Sequence, residues 1–151
     1  MKARTHSHLP RREKLSALTS RLRRESRNIT GPRKAILDVL RRHRHPLTNR
    51  EILAAMPGSQ CDLATVYRAM HLLEELGMVK QFNFGDGIAR FELVGEGREG
   101  HHHHLVCTRC ARVVEIEECF AERIEQRLGA RNGFKAVTHK LEFFGLCPDC
   151  Q

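Results

Sequence analysis

Tryptophan is absent from this 151-residue chain, tyrosine occurs once, and aromatic residues make up only 5% of the sequence. No apolar run reaches about 18 residues, the length that predicts a membrane-spanning helix. The basic N-terminal segment is not followed by an apolar stretch, so it does not resemble a secretory signal. These absences predict a cytoplasmic protein with a modest hydrophobic core and no membrane partner.

Enzyme signatures are missing as well. A zinc deaminase needs a His-x-Glu segment together with Pro-Cys-x-x-Cys. The chain contains no His-x-Glu, and Pro148 lies between Cys147 and Cys150 rather than before that pair. No nucleophile or general base is singled out elsewhere, so we do not expect an enzyme.

Charge divides the chain into two unlike parts. Residues 1–84 contain 17 basic and 7 acidic side chains, whereas residues 85–151 contain 9 and 11. The basic part favours binding to a polyanion such as nucleic acid, although a merely soluble basic surface would give the same count. The second part holds five of the six cysteines, which points to metal chemistry.

Two Cys-x-x-Cys pairs, Cys107/Cys110 and Cys147/Cys150, are typical of a structural zinc site. Four thiolates complete a tetrahedron, so no coordination position remains for chemistry. A redox dithiol is the alternative, but two separate pairs in a reducing compartment favour zinc.

The other two cysteines, Cys61 and Cys119, stand near the predicted starts of helices. We expect each of them to be a small packing residue rather than a metal ligand.

Four consecutive histidines, His101 to His104, precede the first cysteine pair. On a strand, His102 and His104 would point to one face and His101 and His103 to the other. One strand could then serve two metal centres with nitrogen and oxygen ligands, which suit Fe(II), Mn(II), Zn(II) or Co(II). The alternative is a solvated loop that binds metals only adventitiously.

The sequence pattern of the front part, residues 1–93, predicts four helices and a hairpin. Residues 1–9 read as a disordered arm, and residues 11–24 as an amphipathic helix. A helix begins near Pro32, a second follows the capping-box pattern of residues 48–51, and a third spans residues 62–76. Strands at 78–84 and 88–93 flank a Gly-Asp-Gly turn. This order predicts a winged helix-turn-helix, with 62–76 as the recognition helix.

The back part follows a glycine-rich segment, and its pattern mixes strands with one helix. Strands are predicted at 102–106 and 113–116, and a helix follows with an apolar stripe of Phe120, Ile124 and Leu128. Alternation from Val137 to Phe143 predicts a last strand. The chain is therefore expected to be α+β, with a winged-helix domain at 1–93, a flexible linker at 94–100, and a small α/β domain at 101–151.

From about residue 29 onward, the chain resembles the ferric uptake regulator (Fur) family of bacterial metal-dependent repressors. Residues 62–68, Asp-Leu-Ala-Thr-Val-Tyr-Arg, resemble the recognition helix of that family. Residues 82–87 and 90–93 resemble its wing, and residues 101–110 resemble the His-rich segment before its first zinc knuckle.

The resemblance implies roles for particular residues. The implied sensing site consists of His45, Glu92, His102, His104 and Glu115. The implied second site consists of His101, His103, Glu122 and His139, although His139 also reads as a core histidine. The implied DNA-binding residues are Arg33, Thr65, Tyr67 and Arg68.

The resemblance also implies that residues 101–151 form a zinc-containing dimerisation and metal-sensing domain. The implied homodimer binds pseudo-palindromic, A/T-rich operator DNA when it is loaded with metal. Structural Zn²⁺ and regulatory Fe²⁺ are the expected ions, with Mn²⁺ and Zn²⁺ as alternative regulators. Zinc-sensing relatives carry a cysteine shortly before the His run, and residues 92–100 contain none, which favours iron. The remaining alternatives are a zinc-sensing regulator of the same family and a metal-buffering protein that does not bind DNA.

Overall fold

The computed structural model describes residues 13–25, 28–43, 45–58, 61–94, 102–116 and 119–151. The predicted N-terminal arm, residues 95–100 of the predicted linker and His101 lie outside the described residues. Mixed helices and sheets confirm the α+β fold class.

The front part contains four helices and three strands. The helices are α1 (Leu15–Arg24), α2 (Gly31–Arg42), α3 (Asn49–Ala55) and α4 (Leu63–Glu75). The strands are β1 (Leu47–Thr48), β2 (Val79–Asn83) and β3 (Ala89–Leu93). Three helices followed by a hairpin give the expected winged-helix order, and the short β1 is an element that the sequence did not predict.

Helix starts follow from side-chain caps. Thr48 and Glu51 form a complete capping box at the start of α3. Asp62 Oδ1 accepts the Thr65 amide at 2.7 Å, which begins α4. Thr30 caps α2 in the same way through the amide of Arg33. Short-range hydrogen bonds thus set the starts of α2, α3 and α4.

The wing is a three-stranded antiparallel sheet with the order β1-β3-β2. Gly85 and Gly87 take positive φ angles of 87° and 73° at its turn, which an L side chain rarely adopts. Arg90, which is buried, donates to both carboxylate oxygens of Asp86 at 3.0 and 2.8 Å. The hydrogen bonds from Arg90 and from the Ile88 amide lower the pKa of Asp86 to about 2.

One hydrophobic core lies entirely in the front part. It joins the inner faces of the four helices to β2 and β3, and it includes Leu18, Ile36, Ile52, Val66, Leu73 and Phe91. The winged helix therefore has a core of its own that needs no metal.

The back part is built around a second sheet. Its elements are β4 (His103–Cys107), β5 (Val113–Ile116), α5 (Glu122–Asn132), β6 (Glu142–Gly145) and a 3₁₀ turn at Pro148–Cys150. The strand order is β5-β4-β6, with β4 antiparallel to β5 and parallel to β6.

The extent predicted for the last strand is wrong. Residues 137–141 alternate in burial, as the apolar pattern suggested, but they form no strand. Pairing with β4 begins only where Glu142 meets His104. The segment before it bends, with Ala136 at a φ of 53°, and brings His139 towards α5.

Apolar side chains in the back part are mostly exposed in the single chain. Only Val106, Cys107 and Ala121 count as buried apolar residues among its described positions. The exposed ones are Leu105, Val114, Phe120, Ile124, Leu128, Phe134, Phe144 and Leu146. So large an apolar surface on a small unit indicates an interface. None of the helices in the described ranges is both long and apolar enough to span a bilayer.

Candidate metal centres and DNA-binding face

The four paired cysteines meet in one cluster, which we call the thiol cluster. The sulfur atoms of Cys107, Cys110, Cys147 and Cys150 all lie within 4.8 Å of one another. Cys110 and Cys147 are 3.7 Å apart. A tetrahedral zinc ion with bonds of about 2.3 Å to sulfur separates its ligands by about 3.8 Å. The residues present therefore fit a structural zinc ion.

Backbone amides stabilise negative charge on one sulfur of this cluster. The amide of Cys147 donates to Cys107 Sγ at 3.4 Å. Backbone hydrogen bonds from Cys110 and Cys147 lower the pKa of the Cys107 thiol to about 6. The neighbouring sulfurs of Cys147 and Cys110 raise the pKa of Cys150 to about 12. One thiol thus ionises readily, whereas four thiolates together need a cation.

Ion pairs and hydrogen bonds tie the two knuckles together around the sulfurs. Arg112 Nη1 donates to Asp149 at 2.9 Å, and Arg109 donates to the carbonyl of Cys150. Ala111 holds a φ of 60° and lets the first knuckle return into β5. The second pair is thereby held beside the end of β4.

A second group, the hinge cluster, contains Glu92, His102 and His104. Glu92 belongs to β3 of the winged helix, whereas the two histidines belong to the back part. His102 Nε2 lies 3.1 Å from Glu92, and His104 Nε2 lies 3.4 Å from it. This cluster therefore joins the two parts of the chain through polar side chains.

Electrostatics indicate that the hinge cluster suits a cation. Burial raises the pKa of Glu92, but hydrogen bonds and charge from His102 and His104 outweigh it and lower the pKa to about 2. His104 is only 1% exposed, and its Nε2 faces the carboxylate of Glu92 at 3.4 Å. A buried imidazole nitrogen and a carboxylate in this arrangement need a proton or a metal ion between them. The donor set of imidazole nitrogen and carboxylate oxygen fits a divalent ion.

The two other residues of the implied sensing site lie nearby. Glu115 Oε1 is 3.8 Å from His102 Nδ1, at the edge of the cluster. His45 is not brought into the cluster, but it shares a cavity of about 570 Å³ with Glu115. Burial and the neighbouring His43 lower the pKa of His45, which favours the neutral imidazole that a metal needs.

Two phenylalanines of the wing pack against the hinge cluster. The ring centroids of Phe82 and Phe84 lie 4.7 and 5.5 Å from that of His104. Since Phe82 lies on β2 and Glu92 on β3, both strands of the hairpin contact the same histidine. A movement of His104 would therefore shift the wing through direct contacts.

A third group lies on the opposite face of β4 and contains His103, Cys119 and His139. Nε2 of His139 is 3.3 Å from Nε2 of His103 and 3.5 Å from Cys119 Sγ. We call this the second cluster. Glu122 is not part of it, and His101 lies outside the described residues.

Cys119 was expected to be a packing residue, and its place beside two histidines was missed. The available signal was its position three residues before Glu122, next to the implied second site. Cys61 does behave as expected, since it packs partly buried against the front core.

Helix α4, which the sequence predicts to be the recognition helix, presents a polar face to solvent. Tyr67 is 54% exposed, and Arg68 donates to Thr65 Oγ1 at 2.9 Å, which orders its guanidinium. Arg33, at the start of α2, donates to the carbonyl of Asn28 at 2.8 Å. Ordered arginines around an exposed helix face suit contacts to a phosphate backbone.

A winged helix whose wing shares a ligand cluster with a cysteine-knuckle unit defines a metal-responsive DNA-binding regulator. The chain belongs to the Ferric uptake regulator family, whose sequence profile matches residues 24–144. Members of this family are transcription regulators rather than enzymes.

The similarity to individual members of the family extends along nearly the whole chain. The Ferric uptake regulation protein of Bacillus subtilis is 36% identical over 140 residues, which cover 91% of this chain and 94% of that protein. The Vibrio cholerae ferric uptake regulator superposes with a TM-score of 0.74 at 28% identity, covering 86% of this chain and 99% of its own. A zinc-bound manganese uptake regulator gives a TM-score of 0.72 at 28% identity, covering 89% and 99%.

Replacement of one paired cysteine should unload the thiol cluster. Cys110→Ser is expected to lose the zinc that otherwise survives mild chelation, and the sheet of the back part should lose order because it has few buried apolar residues. Zinc content and far-UV circular dichroism report both effects. The matched variant Cys61→Ser should keep its zinc, and equal zinc retention in the two variants would contradict the assignment.

Proposed function

We propose that this protein is an iron-responsive transcriptional repressor that binds operator DNA as a metal-loaded homodimer. The observation that carries the proposal is the hinge cluster, in which Glu92 of the winged helix meets His102 and His104 of the back part. Because the ligands come from both parts of the chain, an ion bound there would fix the position of one part relative to the other.

The sensing site would consist of Glu92, His102, His104, Glu115 and His45. When bound, the ion supplies the positive charge that lets two carboxylates and the imidazoles share one centre. Nitrogen and oxygen donors without sulfur suit Fe²⁺ and Mn²⁺ better than a thiolate site does, which supports iron here. Zinc remains the alternative regulator, since relatives of similar fold include a zinc-bound manganese uptake regulator.

The chain can transmit a change at this site over a short distance. Glu92 lies on β3, where it pairs with Lys80 of β2, and its neighbour Phe91 is part of the front core. The hairpin follows α4 directly and is hydrogen-bonded to its end, because the Met78 amide donates to Leu73 at 2.9 Å. Fixing Glu92 therefore fixes the orientation of the recognition helix.

The energy needed for such a switch is within reach of a multidentate site. If one orientation is about 1% populated without metal, shifting it to about 99% needs about 10⁴-fold preferential binding, or about 5.5 kcal/mol. Four or five ligands that gather only in the closed orientation supply a preference of that kind.

Homodimerisation would use the exposed apolar side chains of the back part. Helix α5 carries Ile124 and Leu128, which are about half exposed in the single chain. A second copy that covers them yields a two-fold dimer, and a two-fold dimer reads a pseudo-palindromic operator. The resemblance to the family adds that such operators are A/T-rich.

On DNA, the front part would use the exposed face of α4. Arg68 and Arg33 would contact phosphates, and Thr65 would hold Arg68 in place. Tyr67 would approach the base edges, where its ring can pack on a thymine methyl group. A metal buffer that does not bind DNA is disfavoured, because metal binding alone does not require an exposed helix face with ordered arginines.

The second site that the family implies would use His101, His103, Glu122 and His139. Of these, His103 and His139 lie in the second cluster, on the face of β4 opposite the hinge cluster. An ion there would brace β4 against α5 without contacting the winged helix.

Removal of both hinge histidines should uncouple metal from DNA binding. His102→Ala combined with His104→Ala is expected to abolish the Fe²⁺-dependent increase in operator affinity, while the zinc of the thiol cluster stays bound. Electrophoretic shift titrations with and without Fe²⁺ measure the first effect, and elemental analysis the second. Lys135→Ala, which removes an exposed side chain of the back part instead, is the control and should keep the metal response. An unchanged metal response in the double variant would reject the hinge assignment.

Arg68 should contribute a phosphate contact. Arg68→Ala is expected to weaken binding to all sequences and to reduce the slope of log K against log salt by about 0.9 for each protomer bound. Arg127→Ala removes an exposed arginine on α5 and should leave the slope unchanged. Equal slopes for Arg68→Ala and the unaltered protein would remove Arg68 from the phosphate-contacting set.

A further inference from the structure

We propose that Cys119 is a thiolate ligand, together with Nε2 of His103 and Nε2 of His139, in a metal site that prefers Zn²⁺ to Mn²⁺. The proposal deepens the second site of the proposed function and rests on it only for the site's place in the regulator. It assigns a sulfur ligand to a residue that the family resemblance does not include.

The distances match those of a tetrahedral zinc site. With bonds of about 2.05 Å to nitrogen and about 2.3 Å to sulfur, two nitrogens lie about 3.3 Å apart, and nitrogen and sulfur about 3.5 Å apart. The two histidine nitrogens are 3.3 Å apart, and Cys119 Sγ is 3.5 Å from His139 Nε2. Two of the three separations therefore match a single tetrahedral ion, and the third, between His103 Nε2 and Cys119 Sγ, is within 4.8 Å.

Hydrogen bonds set the tautomer of both histidines. His103 Nδ1 lies 3.0 Å from the carbonyl oxygen of Leu141, which can only accept, so Nδ1 carries the proton. His139 Nδ1 lies 2.8 Å from the carboxylate of Glu125 and carries its proton for the same reason. In both rings the Nε2 lone pair consequently faces the cluster.

Two lone pairs at this distance repel each other unless a cation lies between them. A carboxylate or carbonyl behind each imidazole is the usual outer support of a zinc-bound histidine. His103 is only 3% exposed, so water does not readily relieve the repulsion. The 3.5 Å separation of Cys119 Sγ from this nitrogen also suits an S–H···N hydrogen bond, and a bound ion would take the place of that proton.

Glu122, the carboxylate that the resemblance implies, does not compete for this place. It is exposed, it lines a cavity beside Glu125 and Gly129, and it is not among the grouped ligand atoms. Among the described residues the cluster offers two nitrogens and one sulfur, a set softer than that of the hinge cluster. Sulfur ligands select Zn²⁺ over Mn²⁺. The two faces of β4 would then hold ions of different chemistry.

Cobalt spectroscopy tests this assignment without DNA. The full chain carrying His102→Ala and His104→Ala, with zinc in its thiol cluster, is titrated with Co²⁺. We expect a near-ultraviolet sulfur-to-cobalt charge-transfer band, which Cys61→Ser retains and Cys119→Ser loses. Elemental analysis must show unchanged zinc throughout. A band that survives Cys119→Ser, or that never forms, overturns the proposal.

Glu125 provides a second variant, should Cys119→Ser disturb the fold. Glu125→Ala is expected to keep the sulfur band but to weaken Co²⁺ binding about 10- to 100-fold, and Glu125→Gln should restore part of that loss. Unchanged Co²⁺ affinity in Glu125→Ala would count against the site. Since operator binding plays no part in these measurements, a negative result here leaves the hinge cluster standing, and failure of the hinge cluster leaves this spectrum unaffected.

Discussion

The alternation of side chains along strand β4 is the constraint on which this molecule depends. His102 and His104 lie on the face that meets Glu92, and His103 lies on the face that meets His139. The strand ends at Cys107, the first sulfur of the thiol cluster. Five consecutive residues of one strand, with the histidine before it, thus deliver ligands to three separate groups. A register shift by one residue would exchange the two faces and dismantle both histidine clusters.

The two parts of the chain are stabilised in different ways. The front part buries a continuous apolar core and can hold its helices and wing without help. The back part buries few apolar side chains and exposes many, so its order depends on metal ligands and on a partner surface. This asymmetry suits the proposed switch, in which the front part is a rigid unit and metal ligands order the back part. In that proposal an ion at the thiol cluster would supply permanent order, and an ion at the hinge cluster would supply the response.

Local patterns predicted much of this structure, and long-range contacts account for what they missed. The helix starts at α3 and α4 were predicted from the capping residues Thr48, Glu51 and Asp62, because a cap acts within four residues. The cysteine pairs and the strand alternation predicted the groupings of the thiols and of His102 with His104. The contact of Cys119 with His139 could not be predicted from local pattern, because the two residues lie 20 positions apart, across a bend that interrupts the expected last strand. His45 was implied by resemblance alone, and in the fold it lines the same cavity as Glu115 without joining the group of Glu92, His102 and His104.

The central claim is that an ion at the hinge cluster joins the winged helix to the back part. Small-angle X-ray scattering of the protein before and after loading with Fe²⁺, with the thiol cluster filled with zinc in both samples, tests it most directly. The account predicts a smaller maximum dimension and a changed profile on loading, and no change in the variant lacking His102 and His104. Superimposable profiles of the bare and loaded protein would contradict it.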